Sequence, residues 1–227
     1  MKQLLRFSSV AGAFLVICCA LFLTACGGGK TGTFRNESSI PSYVPTNHAG
    51  IPILPASIRR VVILPMYWNA DAGAGFLEFM DVTMTSELNK TNLIEVVPLS
   101  RKDMVAVFGK SQIASYEVLP ADSFDRLRAE YAADAVLMID LTGYRAYKPL
   151  YMGVRAKLIN IQTGESLWAF DNSFDAGDPT VAMGARRFAQ LRDTTPYPLD
   201  TDSPILISPR LFSRYVAFMT FSTLPPR

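Results

Sequence analysis

The chain has 227 residues, of which 49% are hydrophobic, and a formal net charge of +2. This length is enough for one domain with a sizeable hydrophobic core. The near-neutral charge balance gives no electrostatic basis for nucleic-acid binding, so that class of function is not expected.

The first 25 residues have the pattern of a secretory signal peptide. Lys2 and Arg6 form a cationic start, and an apolar run extends from Val10 to Leu23. The run suits the core of a signal peptide and is short for a membrane span, which needs about 20 residues. An uncleaved anchor helix is the alternative. In either case the rest of the chain is expected outside the cytoplasm.

The end of this segment, Leu23-Thr24-Ala25-Cys26, resembles the lipobox of bacterial lipoprotein signals. The resemblance implies cleavage between Ala25 and Cys26, and acyl chains on the sulfur and the new amino group of Cys26. Two or more acyl chains anchor a protein stably to a bilayer. Gly27 replaces the aspartate associated with inner-membrane retention, which implies an outer-membrane anchor facing the periplasm. The inner membrane and the cell surface stay open as alternatives.

Removal of the signal would change the chemistry of the mature chain. Lys2 and Arg6 would leave with it, so the 22 basic residues would fall to 20 and equal the 20 acidic residues. Of the three cysteines, Cys18 and Cys19 would also leave, and Cys26 would carry lipid. No thiol would remain for a disulfide, a metal or a nucleophile, so the fold must depend on its core.

Two glycine-containing stretches resemble parts of nucleotide-binding loops, but neither is complete. Residues 29–31 (Gly-Lys-Thr) match the end of a phosphate-binding loop, whereas Thr24 occupies the place of its first glycine. Gly73 and Gly75 lie between a predicted strand and a predicted helix. Glu78 stands where a dinucleotide fingerprint has its third glycine. The sequence therefore predicts no nucleotide ligand and no cofactor.

The chain divides into three predicted segments: the signal at 1–25, the lipidated cysteine with a flexible Gly-, Ser- and Pro-rich linker at 26–58, and a folded domain at 59–227. Hydrophobic periodicity and turn residues predict the element order β-α-β-α-α-β-β-β-α-α. Within it, Ser100 is expected to cap a helix, and residues 151–174 are expected to form a hairpin that turns at Thr163-Gly164. This order predicts a single α/β (α+β) domain with a mixed sheet in a three-layer-like arrangement.

Two short motifs in the middle of the chain carry a family resemblance. They are Ala132-Ala133-Asp134 before a strand and residues 160–168 (NIQTGESLW) in the hairpin. Together with the element order over 59–175, they resemble the TolB N-terminal-like domains shared by CsgG, the LpoB-type activators of penicillin-binding proteins and small envelope lipoproteins. Ala132 replaces the usual glycine of the family and Asn160 the usual aspartate. The resemblance implies an assembly, regulatory or scaffolding role through protein binding.

Catalysis is not expected from the residue types present. The only histidine, His48, falls in the predicted linker, so the domain is expected to lack both an imidazole base and a His–Cys metal site. Two pairs of carboxylates are closely spaced, Asp175 with Asp178 and Asp200 with Asp202. Turn and helix-cap chemistry explains such pairs. An envelope hydrolase or carbohydrate-binding protein that uses these carboxylates is the alternative hypothesis.

Aromatic residues at two strand ends are a candidate interface. Tyr67 and Trp68 follow the first predicted strand, and Tyr144, Tyr147 and Tyr151 surround the turn into the hairpin. Aromatic side chains suit protein interfaces because they supply a large contact area at low entropic cost. Ordinary packing at the rim of the core is the alternative. The sequence thus predicts a lipid-anchored periplasmic protein that binds an envelope partner or itself.

Overall fold

The computed structural model describes residues 41–70, 75–192 and 203–227. Its strands are β1 (His48–Gly50), β2 (Arg60–Ile63), β3 (Glu95–Pro98), β4 (Ala135–Arg145), β5 (Tyr151–Asn160) and β6 (Ser166–Asp175). Its helices are α1 (Phe76–Asn89), α2 (Arg101–Phe108), α3 (Ser123–Tyr131), α4 (Pro179–Arg192) and α5 (Pro209–Phe221), with a 3-10 turn at Pro204–Leu206 before α5. From β2 onward, strands and helices follow the predicted order.

The strands form one mixed sheet in the order β1-β6-β5-β4-β2-β3. Strand β2 pairs in parallel with both β3 and β4, whereas β4 with β5, β5 with β6 and β6 with β1 are antiparallel. Parallel strands of one sheet need crossover connections. Helix α1 connects β2 to its neighbour β3, and α2 with α3 connect β3 to β4 on the other side of β2. We call β4, β2 and β3 the parallel half of the sheet, and β5, β6 and β1 the antiparallel half.

One face of the sheet is covered along both halves. Helices α1, α4 and α5 pack on it, and alternate residues of β5 point into this core. Those β5 residues are the predicted set, Met152, Val154, Ala156 and Leu158. The period of two along β5 therefore places its apolar side chains on a single buried face.

The opposite face is covered by α2 and α3 over the parallel half. Its core joins Val62 of β2 and Met138 of β4 to Met104 of α2 and Leu127 of α3, and it reaches β5 at Ile159. Helices thus lie on both sides of a mixed sheet, and the predicted mixed α/β domain is confirmed. The predicted cap of α2 is also present, because the Ser100 side chain accepts a hydrogen bond from the backbone N–H of Asp103.

The N-terminal boundary of the domain differs from the prediction. Residues 41–58, predicted as part of the linker, pack against the core: the ring of Tyr43 lies 5.3 Å from that of Phe174 in an edge-on arrangement. Leu54 and Ile58 are each only 2% exposed. The linker prediction is wrong for 41–58, and its remainder, 26–40, lies outside the described residues.

Strand β1 changes the status of the single histidine. His48 lies in β1, which pairs antiparallel with β6 so that His48 is opposite Phe170. The histidine is therefore part of the folded domain, exposed on the edge of the sheet, rather than part of a linker. The absence of an imidazole from the domain can no longer be used against catalysis.

The first family motif has a structural role. Ala132 ends α3 with a positive φ of 50°, a conformation that favours glycine and explains the residue that is usual in the family. The Asp134 carboxylate accepts hydrogen bonds from the backbone N–H groups of Arg59 and Arg60, at 2.8 and 2.9 Å. Asp134 thereby holds the start of β2 beside the start of β4.

The second family motif shapes the β5–β6 turn and the core below it. The side-chain oxygen of Asn160 accepts the N–H of Gln162 at 2.8 Å, which is the contact an aspartate would make in the same turn. Gly164 has a φ of 73° in that turn. Trp168 is 1% exposed, and its indole N–H donates to Thr223 at 3.2 Å. Both motifs therefore mark turns and core contacts rather than a reactive site.

Candidate interaction surfaces

Several of the predicted site residues lie outside the described ranges. Ala25 and Cys26, the predicted cleavage and lipidation residues, lie outside them, as do Asp200 and Asp202. Within the described ranges, none of the helices combines the length and the apolar character needed to cross a membrane. Because Cys26 lies outside the described residues, its lipidation stays a prediction.

The predicted aromatic interface residues have different neighbours. Tyr67 lies edge-on to Tyr116 with ring centroids 6.2 Å apart, and Tyr144 stacks on Phe76 at 4.3 Å. Tyr151 lies under the guanidinium of Arg145.

The two other members of the set differ in exposure. Tyr147 is 73% exposed, whereas Trp68 is half-buried. The backbone carbonyl of Trp68 accepts a hydrogen bond from the Gln112 side-chain amide at 2.8 Å. The predicted interface is therefore a set of separate contacts with different degrees of burial.

The described carboxylates of the alternative hypothesis take part in turn and ion-pair contacts. Asp175 accepts from the Arg145 guanidinium at 3.2 Å and from the backbone N–H of Gly177 at 2.8 Å. Asp178 accepts from both the N–H and the hydroxyl of Thr180, at 2.7 and 2.8 Å. These hydrogen bonds hold the pKa of Asp178 below its ordinary value. The contacts are those expected of turn and cap residues.

A cleft opens where the parallel strands end. The chain leaves β2 toward α1 on one face and leaves β3 toward α2 on the other, so the connections diverge between two neighbouring strands. Such a divergence leaves a crevice outside the carboxyl ends of the strands. Here the crevice has a volume of about 980 Å³, at the upper end of the range for ligand pockets. We call it the α1–β3 cleft.

The walls of the α1–β3 cleft come from one helix and one strand end. One wall is a stripe of α1 at helical spacing: Glu78, Asp81, Val82, Thr85, Ser86 and Asn89. The other wall is the end of β3 and the start of α2, from Pro98 to Arg101. The floor is apolar: Ile63, Leu64, Met66, Met84 and Ile139. Val82 is 69% exposed, so the helical wall presents one apolar side chain to solvent.

An ion pair fixes one end of the α1–β3 cleft. Arg101 approaches Asp81 at 2.9 Å and also donates to the backbone carbonyl of Met66 at 3.0 Å. Asp81 accepts the N–H of Met66 at 2.7 Å. Burial raises the pKa of Asp81, and the contacts from Met66 and Arg101 offset part of that rise. These contacts join α1, α2 and the end of β2 into a fixed rim.

A second concave surface lies on the face of the antiparallel half that α2 and α3 leave open. This groove, of about 480 Å³, is lined by residues that include Tyr116, Arg155, Lys157 and Asp171. Arg155 donates to Asp171 at 2.9 Å. The open face thus carries paired charges and one exposed tyrosine, in contrast to the apolar α1–β3 cleft.

A buried carboxylate lies between the covered and open parts of this face. Asp140 of β4 is 2% exposed, and Ser115 donates to it from its backbone N–H at 2.8 Å and from its hydroxyl at 2.6 Å. Arg155 lies 4.0 Å away. Burial raises the pKa of Asp140, and the Ser115 hydrogen bonds oppose that rise. Asp140 thereby fixes the segment that carries Tyr116.

Sequence reasoning did not identify the residues that define these two surfaces. Asp81 and Arg101 belong to different helices, and their pairing depends on the tertiary fold. Asp140 did have a sequence signal, because it is a lone charge within the apolar run AVLMIDL. Among the described residues, no three His, Cys, Asp or Glu side chains are grouped to hold a metal ion.

No protein-family model matches the chain. No curated protein matches it either. Several solved structures resemble it at low identity. The PelC dodecamer from Paraburkholderia phytofirmans is 12% identical, with 79% of this chain and 96% of that chain covered and a TM-score of 0.44.

Two other solved structures show a similar degree of likeness. Lipoprotein GNA1162 from Neisseria meningitidis is 17% identical, covering 59% of this chain and 96% of that chain, with a TM-score of 0.42. TolB from Acinetobacter baumannii is 14% identical, covering 66% of this chain and 31% of that chain, with a TM-score of 0.32. Each TM-score is below 0.5, so the fold assignment rests on the sheet order and layers of this chain.

Proposed function

We propose that the mature chain is anchored to the outer membrane through lipid on Cys26, faces the periplasm, and acts by binding another envelope protein. The α1–β3 cleft is the observation that carries the binding role. It is apolar along its floor, open to solvent, and continuous with the exposed side chain of Val82. A concave apolar surface of this kind gains stability when the apolar side chains of another chain are buried in it.

The arrangement of polar groups supports binding rather than bond cleavage as the role of this cleft. Asp81 is tied to Arg101 and to the backbone of Met66, so its carboxylate already has its partners. Asp175 and Asp178 are engaged in their turns and give the hydrolase alternative no support. The proposed activity is therefore recognition, with the sheet and its helices as a rigid support.

Position-specific photo-cross-linking in living cells tests this proposal. A photoreactive phenylalanine analogue at Val82 should yield a discrete adduct with one envelope protein in chains that incorporate labelled palmitate. The matched control is Val118, which is 95% exposed and does not line the cleft. The Cys26→Ala chain should lose both the palmitate label and the adduct. Equal adducts from positions 82 and 118, or palmitate on the Cys26→Ala chain, would contradict the proposal.

A further inference from the structure

We propose that the occupant of the α1–β3 cleft is an amphipathic helix of the partner, which buries apolar side chains in the cleft and places a basic residue beside Glu78. This inference rests on the proposed protein-binding function and specifies the chemistry of the partner. It depends on three features of the cleft: its length, the backbone of its strand wall and the charges on its rim.

The length of the cleft suits a short helix. Its helical wall extends from Glu78 to Asn89. At a rise of 1.5 Å per residue, this wall is about 16 Å long, which equals roughly three helical turns. A partner helix of that length presents side chains at positions i, i+3 or i+4, and i+7 on one face, which is the usual pattern of anchors in helix-in-groove recognition.

The strand wall of the cleft is poorly suited to accept a further β-strand. Glu95 and Leu99 direct their N–H groups to β2, at 2.8 Å from Arg59 O and 3.0 Å from Ile63 O. In a parallel ladder the backbone N–H and C=O groups of successive residues point alternately to the two sides of the strand. The backbone groups of Val96 and Pro98 therefore point to the free edge of β3. Pro98 has no N–H to donate, and a proline on an edge strand blocks pairing there. Side-chain insertion is therefore favoured over strand addition.

The charges on the rim of the cleft indicate which charged residue the partner helix carries beside its apolar side chains. Arg101 offsets Asp81 at one end of the cleft, and Lys90 at the other end pairs with Glu87, which lies outside the cleft lining. Glu78 is exposed, and among the described residues no hydrogen bond or ion pair involves its carboxylate. Within the described ranges, the end of the cleft near the strand termini thus has one acidic side chain, Glu78, without a basic partner.

This charge selects among occupants. A basic side chain beside Glu78 gains complementary charge, whereas an acidic residue or a phosphate would meet like charge at the same place. Glu78 also lies in the first turn of α1, where a negative charge stabilises the helix through a favourable interaction with the helix dipole. The test must therefore separate loss of helix stability from loss of recognition.

Selection of helical peptides by display on the detergent-solubilised full-length chain tests the inference. The wild-type chain should enrich peptides with apolar residues at i, i+3 or i+4 and i+7, together with Lys or Arg at one end of that face. Val82→Glu should abolish enrichment. For a peptide selected on the wild type, Glu78→Lys should raise the dissociation constant at least about tenfold. Glu78→Gln, which loses the charge and keeps the size, should give an intermediate rise.

Charge reversal provides the decisive comparison. Selection on the Glu78→Lys chain should enrich peptides that carry Asp or Glu at the end where the wild type prefers Lys or Arg, and circular dichroism should show that the variant is folded. Unchanged peptide preference on Glu78→Lys, or no enrichment over the Val82→Glu chain, would overturn the inference. If the cross-link at Val82 persists in either case, protein binding by the cleft stands and only the helical, basic occupant is wrong. If the cross-link is also absent, the proposed function fails.

Discussion

The two halves of the sheet differ in how they are covered. In the parallel half, helices pack on both faces, and the central strand β2 has Val61 facing one core and Val62 the other. In the antiparallel half, one face is buried while Arg155 and Lys157 of β5 lie on the open side. Parallel strands require crossover helices that cover them, and hairpin strands do not. The connectivity of the chain therefore decides where charged side chains can stand on the sheet.

The same difference separates the two candidate surfaces. The α1–β3 cleft forms in the parallel half, where the crossover connections diverge, and it is apolar because two cores meet there. The groove of the antiparallel half is a bare sheet face, and it is polar because alternate residues face water. This difference in covering supports the proposed binding role of the apolar cleft and explains why the open face carries solvated charges.

The segment that joins β1 to β2 provides the largest expected effect. Its residues Leu54 and Ile58 are buried in the core. Replacing a buried Leu or Ile by Ala costs about 2–5 kcal/mol, so Leu54→Ala with Ile58→Ala should remove most of the 5–15 kcal/mol typical of a domain. Urea unfolding followed by circular dichroism measures the loss.

Val44, an exposed residue of segment 41–58, is the control for the Leu54 and Ile58 double variant. Val44 is 69% exposed, so Val44→Ala should change the free energy of unfolding by no more than about 0.5 kcal/mol. If the Leu54 and Ile58 double variant were as stable as Val44→Ala, residues 41–58 would behave as the linker that their composition predicts. The antiparallel half would then end at β6.

A directly paired couple of residues tests the contrast between the halves. Met138 of β4 is opposite Lys157 of β5 on the same face of the sheet. Met138 is 1% exposed beneath α2 and α3, so Met138→Ala should cost about 2–5 kcal/mol. Lys157→Ala, on the open side, should change the free energy of unfolding by less than about 0.5 kcal/mol. Equal losses from the two variants in urea unfolding would mean that the open face is covered.

Local patterns were sufficient to predict much of this architecture. The alternation in β5 and the Ser100 cap depend on neighbours within a few residues, and both are present. Segment 41–58 was misassigned because its contacts are distant in sequence: the N–H of Leu54 donates to the carbonyl of Pro226 at 2.8 Å. A segment with four prolines in 18 residues resembles a linker whenever such distant partners are unknown.

The candidate cleft was missed for a related reason. Its ion pair joins Asp81 of α1 to Arg101 of α2, and only the divergence of the two crossover connections brings these residues together. Hydrophobic periodicity predicts that both helices exist but not which of their exposed faces meet. For two of the aromatic residues the partners are also distant in sequence, because Tyr67 contacts Tyr116 and Tyr144 contacts Phe76.

Asp140, on the boundary between covered and open sheet, provides the smallest predicted effect. Burial raises the pKa of its carboxyl group above the ordinary value, and the hydrogen bonds from Ser115 and the nearby Arg155 offset part of that rise. The folded state therefore binds the proton more tightly than the unfolded chain does. The resulting stabilisation is complete below the unfolded pKa of about 4 and is lost as the pH rises through the folded pKa.

Asp140→Asn keeps the shape of the side chain and removes this titration. The variant should have a higher free energy of unfolding than the wild type at pH 7, and urea unfolding should show the difference shrinking as the pH falls toward 4. Ser115→Ala, which removes the hydroxyl donor, should steepen the pH dependence of the chain that retains Asp140. If the advantage of Asp140→Asn grew on acidification instead, the ionised carboxylate would be stabilised by Ser115 and Arg155. The ionised carboxylate of Asp140 would then stabilise the boundary between the two halves instead of destabilising it.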